Sequence, residues 1–243
     1  MSDSVIKTAG RVFEVLEYMR DVRRLVTVRE ISEKLQYPLS SAQVLLKSIA
    51  QLGYLRYDTR KRAYLATPRL AVLGDWVLES MANNGIKFET LEQIALETGL
   101  TAVLGVENDI YVQYTHVALG KQERQLRVQP GTRRLLCMSG LGWVLLSTAT
   151  QEDLMKIVHR TNNRLEPGGQ RISLQEVQEH VQEARSKGYS YSHGTANPDR
   201  SIIGIVTSSD DTDMRYAVGV SGDASEIENR KDEIVSLLKA RIW

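Results

Sequence analysis

The feature that most constrains this 243-residue chain is the punctuation of its first fifty residues, which cuts them into three helical lengths. Across residues 6–19 the apolar side chains Ile6, Ala9, Val12, Phe13, Leu16 and Met19 recur in steps of three and four, the stripe of an amphipathic helix. A charged turn follows. Thr27 then predicts an N-cap, and Glu30 three residues on completes a capping box for a short helix burying Val28, Ile31 and Leu35. The Tyr37-Pro38 step ends it, because a residue before proline is pushed out of the helical region. Ser40 or Ser41 is expected to cap a third helix running to Leu52 and stopped by Gly53.

In that third helix Ala42, Leu45, Leu46, Ile49 and Leu52 share one face, leaving an outer face free of acid. Two β-rich runs follow, Tyr54 to Tyr57 and Ala63 to Ala66, around the basic tip Asp58-Thr59-Arg60-Lys61-Arg62, and read as a hairpin. A helix-turn-helix followed by a basic hairpin is a winged helix. The major groove of DNA admits one helix, whose short polar side chains reach base edges while nearby cations neutralise phosphates. Ser40, Ser41, Gln43 and Lys47 are therefore expected at bases or nearby phosphates, and Val44 against a thymine methyl. Arg60, Lys61 and Arg62 are expected on the backbone, and Thr27 and Arg29 at phosphates near the start of the second helix.

Charge supports the division. Residues 1–75 hold 13 lysines and arginines against 8 acids, and the remainder 18 against 22. A basic small domain joined to an acidic larger one suits a polyanion-binding module attached to a part that need not touch the polyanion. The length suits one large domain or two small ones. An apolar content of 42% with 25% charge argues against a disordered or collagen-like chain. A single cysteine, Cys137, rules out an intramolecular disulfide, and four scattered histidines show no zinc spacing, so neither metal nor other cofactor is expected. No secretory signal is expected, and the longest uncharged stretch, residues 135–151, falls short of the ~20 residues of a membrane helix. The expectation is a cytoplasmic protein with no membrane partner.

Residues 68–81 carry Leu70, Val72, Leu73, Trp76, Val77 and Met81 and read as a linker helix broken at Asn83-Asn84-Gly85. Beyond a helix at 87–97, strands are expected at 101–107, 110–117, 125–129, 202–207 and 216–220. Between them lie helices at 140–147, at 151–158 behind a Thr150 cap, and at 174–187 with a Ser173/Glu176 capping box and a Gly188 stop. Another occupies 226–241. This order describes an antiparallel sheet covered by helices, an α+β fold. The expected domains are a winged helix over 1–74, a linker helix over 75–85 and a second domain over 86–243. No short motif of hydrolases, zinc proteases or nucleotide-binding enzymes occurs, and His116, His159, His180 and His193 lie far apart, so no catalytic residue is expected.

The segment from Tyr37 to Leu55, with its Tyr-Pro-Leu-Ser-Ser-Ala-Gln-Val-Leu-Leu-Lys-Ser-Ile-Ala-Gln-Leu-Gly-Tyr-Leu run, resembles the recognition-helix region of the IclR family of bacterial transcription regulators. The likeness continues through residues 70–74 and into the C-terminal part. Val44 stands where the family usually has arginine, and Gln43 where it commonly has an aromatic residue, which bears on the operator read. The resemblance implies a double-stranded DNA operator, a homodimer or tetramer paired through the N-terminal region, and a GAF-like effector-binding domain. Residues 131–146 resemble the entry to the first helix beside the effector cavity, with Cys137 where histidine is frequent, Met138 for a small residue and Trp143 for lysine. Residues 188–192 match the family's turn into the pocket, with Ser192 in place of the usual acid. Residues 218–222 resemble the closing strand, with Ser221 facing the ligand and Gly219 lacking a hydroxyl often present.

An effector site is accordingly expected around Met138, Ser139, Gly140, Ser192, His193, Arg200, Ser201 and Ser221. Free amides at the start of the helix at 140–147, together with these donors, suit an anion, and the exchange of an acid for Ser192 favours the same sign. The expected effector is a small organic acid, a carboxylate, and Met138 and Trp143 suit an aromatic one. The competing reading is a ligand sensor whose winged helix contacts a protein partner; the basic wing tip and the acid-free third helix argue against it.

Overall fold

The first unit begins with helices α1 (Lys7–Val22), α2 (Val28–Lys34) and α3 (Leu39–Gln51). They are followed by the strands β1 (Leu55–Asp58) and β2 (Ala63–Ala66) and helix α4 (Arg69–Asn83). This computed structural model describes residues 6–83, 86–121, 128–165, 169, 171–195, 197–208 and 215–242. The chain separates into two compact units between Glu79 and Ser80, inside α4.

Val15 and Met19 of α1, Ile31 of α2, and Ala42, Leu45, Leu46 and Ile49 of α3 close over Leu55 and Tyr64 of the hairpin. The apolar stripe of α1 is wider than this contact: Val15, outside it, is fully buried, whereas Phe13 within it is 64% exposed. Leu52, expected on the buried face of α3, is likewise exposed. Neither Ser40 nor Ser41 caps α3. The helix starts at Leu39 behind Pro38, whose fixed φ suits a helix entry, with no side-chain cap. Both hydroxyls are thereby left in the first turn.

Glu30 ties this unit together. Tyr18 of α1 donates its hydroxyl to Oε1 at 2.6 Å, and Arg24 donates to Oε1 and Oε2 at 2.6 and 3.0 Å. The capping box closes in both directions, with the Glu30 amide donating to Thr27 Oγ1 at 3.1 Å and the Thr27 amide donating to the Glu30 carboxylate. The Arg24 bond chiefly, aided by Tyr18 and Thr27, brings this carboxyl down to about 2 from 4.5 against the cost of its partial burial.

The second unit holds α5 (Phe88–Thr98), β3 (Thr101–Asn108), β4 (Tyr111–Ala118), β5 (Arg133–Leu135), a 3-10 turn over Leu136–Met138 and α6 (Gly140–Leu146). Then come α7 (Gln151–Arg164), α8 (Leu174–Lys187), β6 (Ser190–His193), β7 (Arg200–Ser208), β8 (Arg215–Asp223), α9 (Ala224–Asn229) and α10 (Lys231–Ile242). The strands form one antiparallel sheet in the order β5-β4-β3-β8-β7-β6.

Helix α6 has no polar face and every one of its residues is buried, as a helix laid between a sheet and other helices requires. It packs on the side of the sheet that carries Val103, Val112 and Ala217, with α7 and α8 completing that core through Leu154, Ile157, Val177 and Val181. On the opposite side α5 lies on β3 and α10 on β7, while Ile227 of α9 packs beside Gly222 of β8.

Three expectations for this unit change. Of the strand expected at 125–129, residues 125–127 lie outside the described residues; Val128 and Gln129 are not in a strand, and Gln129 is held in a turn by Thr132. The edge strand is β5, whose arginine-rich three residues carry little β signal. The helix expected at 226–241 is two helices, parted at Arg230, whose side chain donates to Thr98 O at 2.8 Å and so joins α5 to the break. Helix α7 also runs on past Val158 to Arg164.

Two stability experiments follow from these contacts. Glu30→Gln is expected to cost about 1–3 kcal/mol at neutral pH, the worth of charge-assisted hydrogen bonds. Because the Glu30 carboxyl is lowered in the folded chain, its stabilisation is complete above the unfolded value of 4.5 and is lost as pH falls from there towards about 2. Denaturant titrations at neutral, mildly acidic and strongly acidic pH should therefore show the gap between wild type and variant closing on acidification. Gly219 lies beneath Leu141 of α6, and a Cβ there would stand 2.6 Å from Leu141 Cδ2 and 3.0 Å from the Ile203 carbonyl. Gly219→Ala is expected to destabilise by about 1–3 kcal/mol through overpacking, read as a lower denaturant midpoint at unchanged slope.

Candidate functional site

Two sites emerge, one in each unit. In the first, the burial of Ala42, Leu45, Leu46 and Ile49 turns the opposite face of α3 outward. Ser40, Gln43, Val44 and Lys47 are exposed and Ser41 is half-buried. The wing is β1 and β2, paired from Leu55↔Ala66 to Asp58↔Ala63. Its tip is shaped by Asp58, whose Oδ1 accepts from the Arg60 and Lys61 amides at 2.9 and 3.0 Å; the Lys61 amide foremost holds that carboxyl below its ordinary range. Arg60, Lys61 and Arg62 are thereby presented together and exposed. At the head of α2, Thr27 spends a lone pair of its hydroxyl on the Glu30 amide and keeps its O–H for donation, while Arg29 lies along the helix on Glu33 at 2.7 Å.

A groove of about 740 Å³ runs beside α3, walled by Phe13 and Leu16 of α1 and by Leu70 and Leu73 of α4. Ser40, Ser41 and Val44 stand on its border, so they are shared between the groove and the outward face. Val72, Leu73 and Trp76 of α4 are exposed, Trp76 by 67%.

In the second unit a cavity of about 240 Å³ opens on the α6 side of the sheet. Its floor is a row of neighbouring positions, Ser192 on β6, Ile202 on β7, Ser221 on β8 and Thr101 on β3. Val103 and Tyr114 continue the floor, while Met138 and Ser139, from the segment entering α6, also line it. Burial pushes the Tyr114 hydroxyl up, and the nearby Arg134 guanidinium opposes this. The charged side chains lining the cavity are Arg134 and Arg200, and Asp223, paired with Arg200 across β7 and β8, is not among the lining residues.

Of the expected effector residues, Met138, Ser139, Ser192, Arg200, Ser201 and Ser221 border this cavity. Gly140 does not; it lies under Ser192, where a Cβ would come within 2.7 Å of the Ser192 hydroxyl. His193 does not either. Strand pairing puts His193 opposite Ser201 and Ser192 opposite Ile202, and alternate residues face opposite sides. The Ser201 hydroxyl accordingly meets His193 Nδ1 at 3.2 Å and the Tyr191 hydroxyl at 3.4 Å, away from the floor.

The amides expected to be free at the start of α6 are partly spent: Gly142 donates to Ser139 Oγ at 3.1 Å and Trp143 to Ser139 O at 2.9 Å. Trp143 is turned from the cavity altogether, its Nε1 donating to Cys137 O at 3.0 Å and its ring stacked on His180 at 3.8 Å. Thr101, Val103, Tyr114, Arg134 and Ile202 were missed by sequence reasoning, because they reach the cavity through strand pairing rather than through any local pattern. A second hollow of about 410 Å³ shares Met138, Ser192 and Thr195 with the first, so Met138 borders both.

His116 and Cys137 have separate partners. His116 meets Glu92 at 3.2 Å and stacks on Phe88. Cys137 is buried, its thiol pushed up by desolvation, with Thr161 Oγ1 at 3.8 Å. Among the described residues no cluster of His, Cys, Asp and Glu could hold a metal ion, and no helix is long and apolar enough to cross a membrane.

A winged helix-turn-helix joined to an α+β unit with a cation-bearing cavity defines a ligand-sensing transcription regulator. Two family models match the chain: the IclR helix-turn-helix domain over residues 8–59, and the bacterial transcriptional regulator IclR C-terminal over residues 78–241. The transcriptional repressor IclR of Escherichia coli strain K12 is 21% identical over 194 residues, 76% of this chain and 69% of that protein. The crystal structure of the Thermotoga maritima IclR superposes with a TM-score of 0.70 at 19% identity, covering 98% of this chain and 96% of that one. An IclR homolog from Microbacterium hydrocarbonoxydans, crystallised with 4-hydroxybenzoate, gives a TM-score of 0.64 at 17% identity, over 97% and 99% of the two chains. The chain belongs to the IclR family of bacterial transcriptional regulators, a family of regulators and not of enzymes.

Proposed function

We propose that this regulator grips a roughly palindromic operator as a dimer, and that a small organic acid in the C-terminal cavity changes the grip. The observation that carries the reading is the outward face of α3, exposed and free of acid beside a wing tip of three cations. Ser40, Ser41, Gln43 and Lys47 meet base edges or nearby phosphates, and Val44 packs on a thymine methyl. Thr27, Arg29, Arg60, Lys61 and Arg62 hold the phosphate backbone. Residues 75–85 serve as the linker between the DNA-binding and effector domains.

The dimer is supported by the apolar groove and by the exposed Phe13, Leu73 and Trp76, a surface suited to a second copy of the same unit. Paired wings then address half-sites about one helical turn, ~34 Å, apart. The organic acid is supported by a cavity whose lining charges are both arginines, and the relative crystallised with 4-hydroxybenzoate favours an aromatic one. A coupling of ~1–3 kcal/mol between ligand and operator would change DNA affinity ~5–150-fold.

Mobility-shift titration with the DNA upstream of its own gene, at two salt concentrations, tests the reading. Affinity should fall with salt by about 0.9 log units per log unit of salt for each phosphate contacted. Removing Arg60 and Lys61 together should flatten that slope by about 2 while leaving sequence preference intact. Gln43→Ala should instead cost about 1–3 kcal/mol on the preferred sequence and relax discrimination at one position. Binding that ignores salt, or no binding at all, would overturn the proposal.

A further inference from the structure

We infer that Met138 sets the size of ligand that the C-terminal cavity accepts, by walling it off from the neighbouring hollow and so confining it to acids with a single ring. The inference rests on the reading of that cavity as an organic-acid site and adds what limits the length of the acid.

The row that floors the cavity crosses from Thr101 through Ser221 and Ile202 to Ser192 on β6. Strand β6 is an edge of the sheet, so no further strand continues the row. The hollow of about 410 Å³ lies at this edge: residues 191–193 of β6 border it, as do Glu176, Val177 and His180 of α8. Residues that border both spaces form the wall between them, and among the described residues these are Met138, Ser192 and Thr195.

The three contribute unequally. Ser192 is short and buried, its hydroxyl 3.5 Å from that of Thr195, which is itself short. Met138 has the longest side chain and supplies most of the wall. Its backbone is held through both neighbours, since the Cys137 carbonyl accepts from Trp143 Nε1 at 3.0 Å and the Ser139 hydroxyl accepts from the Gly142 amide at 3.1 Å. The wall therefore opens only by movement or loss of the Met138 side chain. That side chain leaves the residue 47% exposed, and swinging it fully into water gives up the apolar contact that covers the rest.

Size and chemistry agree with a wall at this point. The cavity's volume of about 240 Å³ lies below the roughly 300–1,000 Å³ of sites for drug-sized ligands and suits one ring bearing a carboxylate; without the wall, the two spaces together reach that range. Trp143, Ile172 and Val177 line the second hollow with apolar surface, and its Arg171 and Glu176 are of opposite sign. That lining suits an uncharged second ring better than a second carboxylate.

Calorimetric titration of the full-length protein tests this with two matched pairs: benzoate against biphenyl-4-carboxylate, and 4-hydroxybenzoate against 4′-hydroxybiphenyl-4-carboxylate. The wild type is expected to bind at least one of the one-ring acids about tenfold or more tightly than its two-ring counterpart. Met138→Ala should bring that ratio to within about twofold or reverse it, chiefly through tighter binding of the two-ring acid. A general loosening of the fold would weaken both members of a pair, so the ratio reads the wall itself. Met138→Val, shorter but still apolar, should give part of the gain and decides the matter should Met138→Ala melt early. Two-ring acids bound by the wild type as tightly as one-ring acids, or a ratio that neither substitution moves, would overturn the role of Met138 while leaving the organic-acid reading intact. Binding of no carboxylate by the wild type or by either variant would overturn both.

Discussion

The second unit depends on how closely a wholly apolar helix can approach a sheet. Leu141 of α6 rests over Gly204 and Gly219, adjacent positions on β7 and β8, where a Cβ would fall 2.4 and 2.6 Å from its Cδ2. At one edge of this row the Ser190 hydroxyl donates to the Gly140 carbonyl at 2.7 Å, pinning the helix start. In the next row on the same side, two residues along each strand, Ile202 and Ser221 stand where the first row has Gly204 and Gly219, and Gly140 at the start of α6 lies against Ser192 and Ile202. The cavity is the space left where the helix ends and the floor rises. The packing that builds the core and the geometry that opens the cavity are consequences of one contact, close packing being what makes the boundary between them sharp.

The first unit divides its labour differently. Its small core is closed by side chains from all three helices and the hairpin, and the polar clamp around Glu30 fixes α1, the turn before α2 and the head of α2 to one another. With the inner face of α3 consumed by the core, its outer face is left exposed. The wing tip is rigidified by two amide bonds to Asp58, an acid that sits among the cations yet is turned to the backbone. That placement lets Arg60 to Arg62 act outward as a basic cluster.

Features specified within a few residues were legible beforehand. The caps at Thr27, Thr150 and Ser173 and the left-handed stop at Gly188 are present with their expected hydrogen bonds, because each is a bond between near neighbours in the chain. Features settled by distant partners were not. Arg230 stands between two helices with its guanidinium on Thr98 O, a residue far earlier in the chain, and no helical pattern announces that contact. The strand at Arg133 exists because Val112 and its neighbours need an edge partner. His193 and Ser192 are adjacent in sequence and looked equivalent as donors, yet the alternation of a strand sends them to opposite sides.

Taken alone, the order of amino acids determined the winged helix, the acid-free outer face of its third helix, the α+β order of the second unit and the family to which they belong. The elements and their faces are written in periodicity, capping and charge, which act over a turn or two of chain, and the family in the resemblance carried by the run from Tyr37 to Leu55. Which residues wall the cavity was decided only in three dimensions. Strand register brought Arg134 to the same hollow as Arg200 and turned Ser201 and His193 away from its floor, and side-chain packing removed Trp143 from it. Such choices depend on which strands become neighbours, and that is fixed by burying α6 against the sheet as a whole rather than by any one segment.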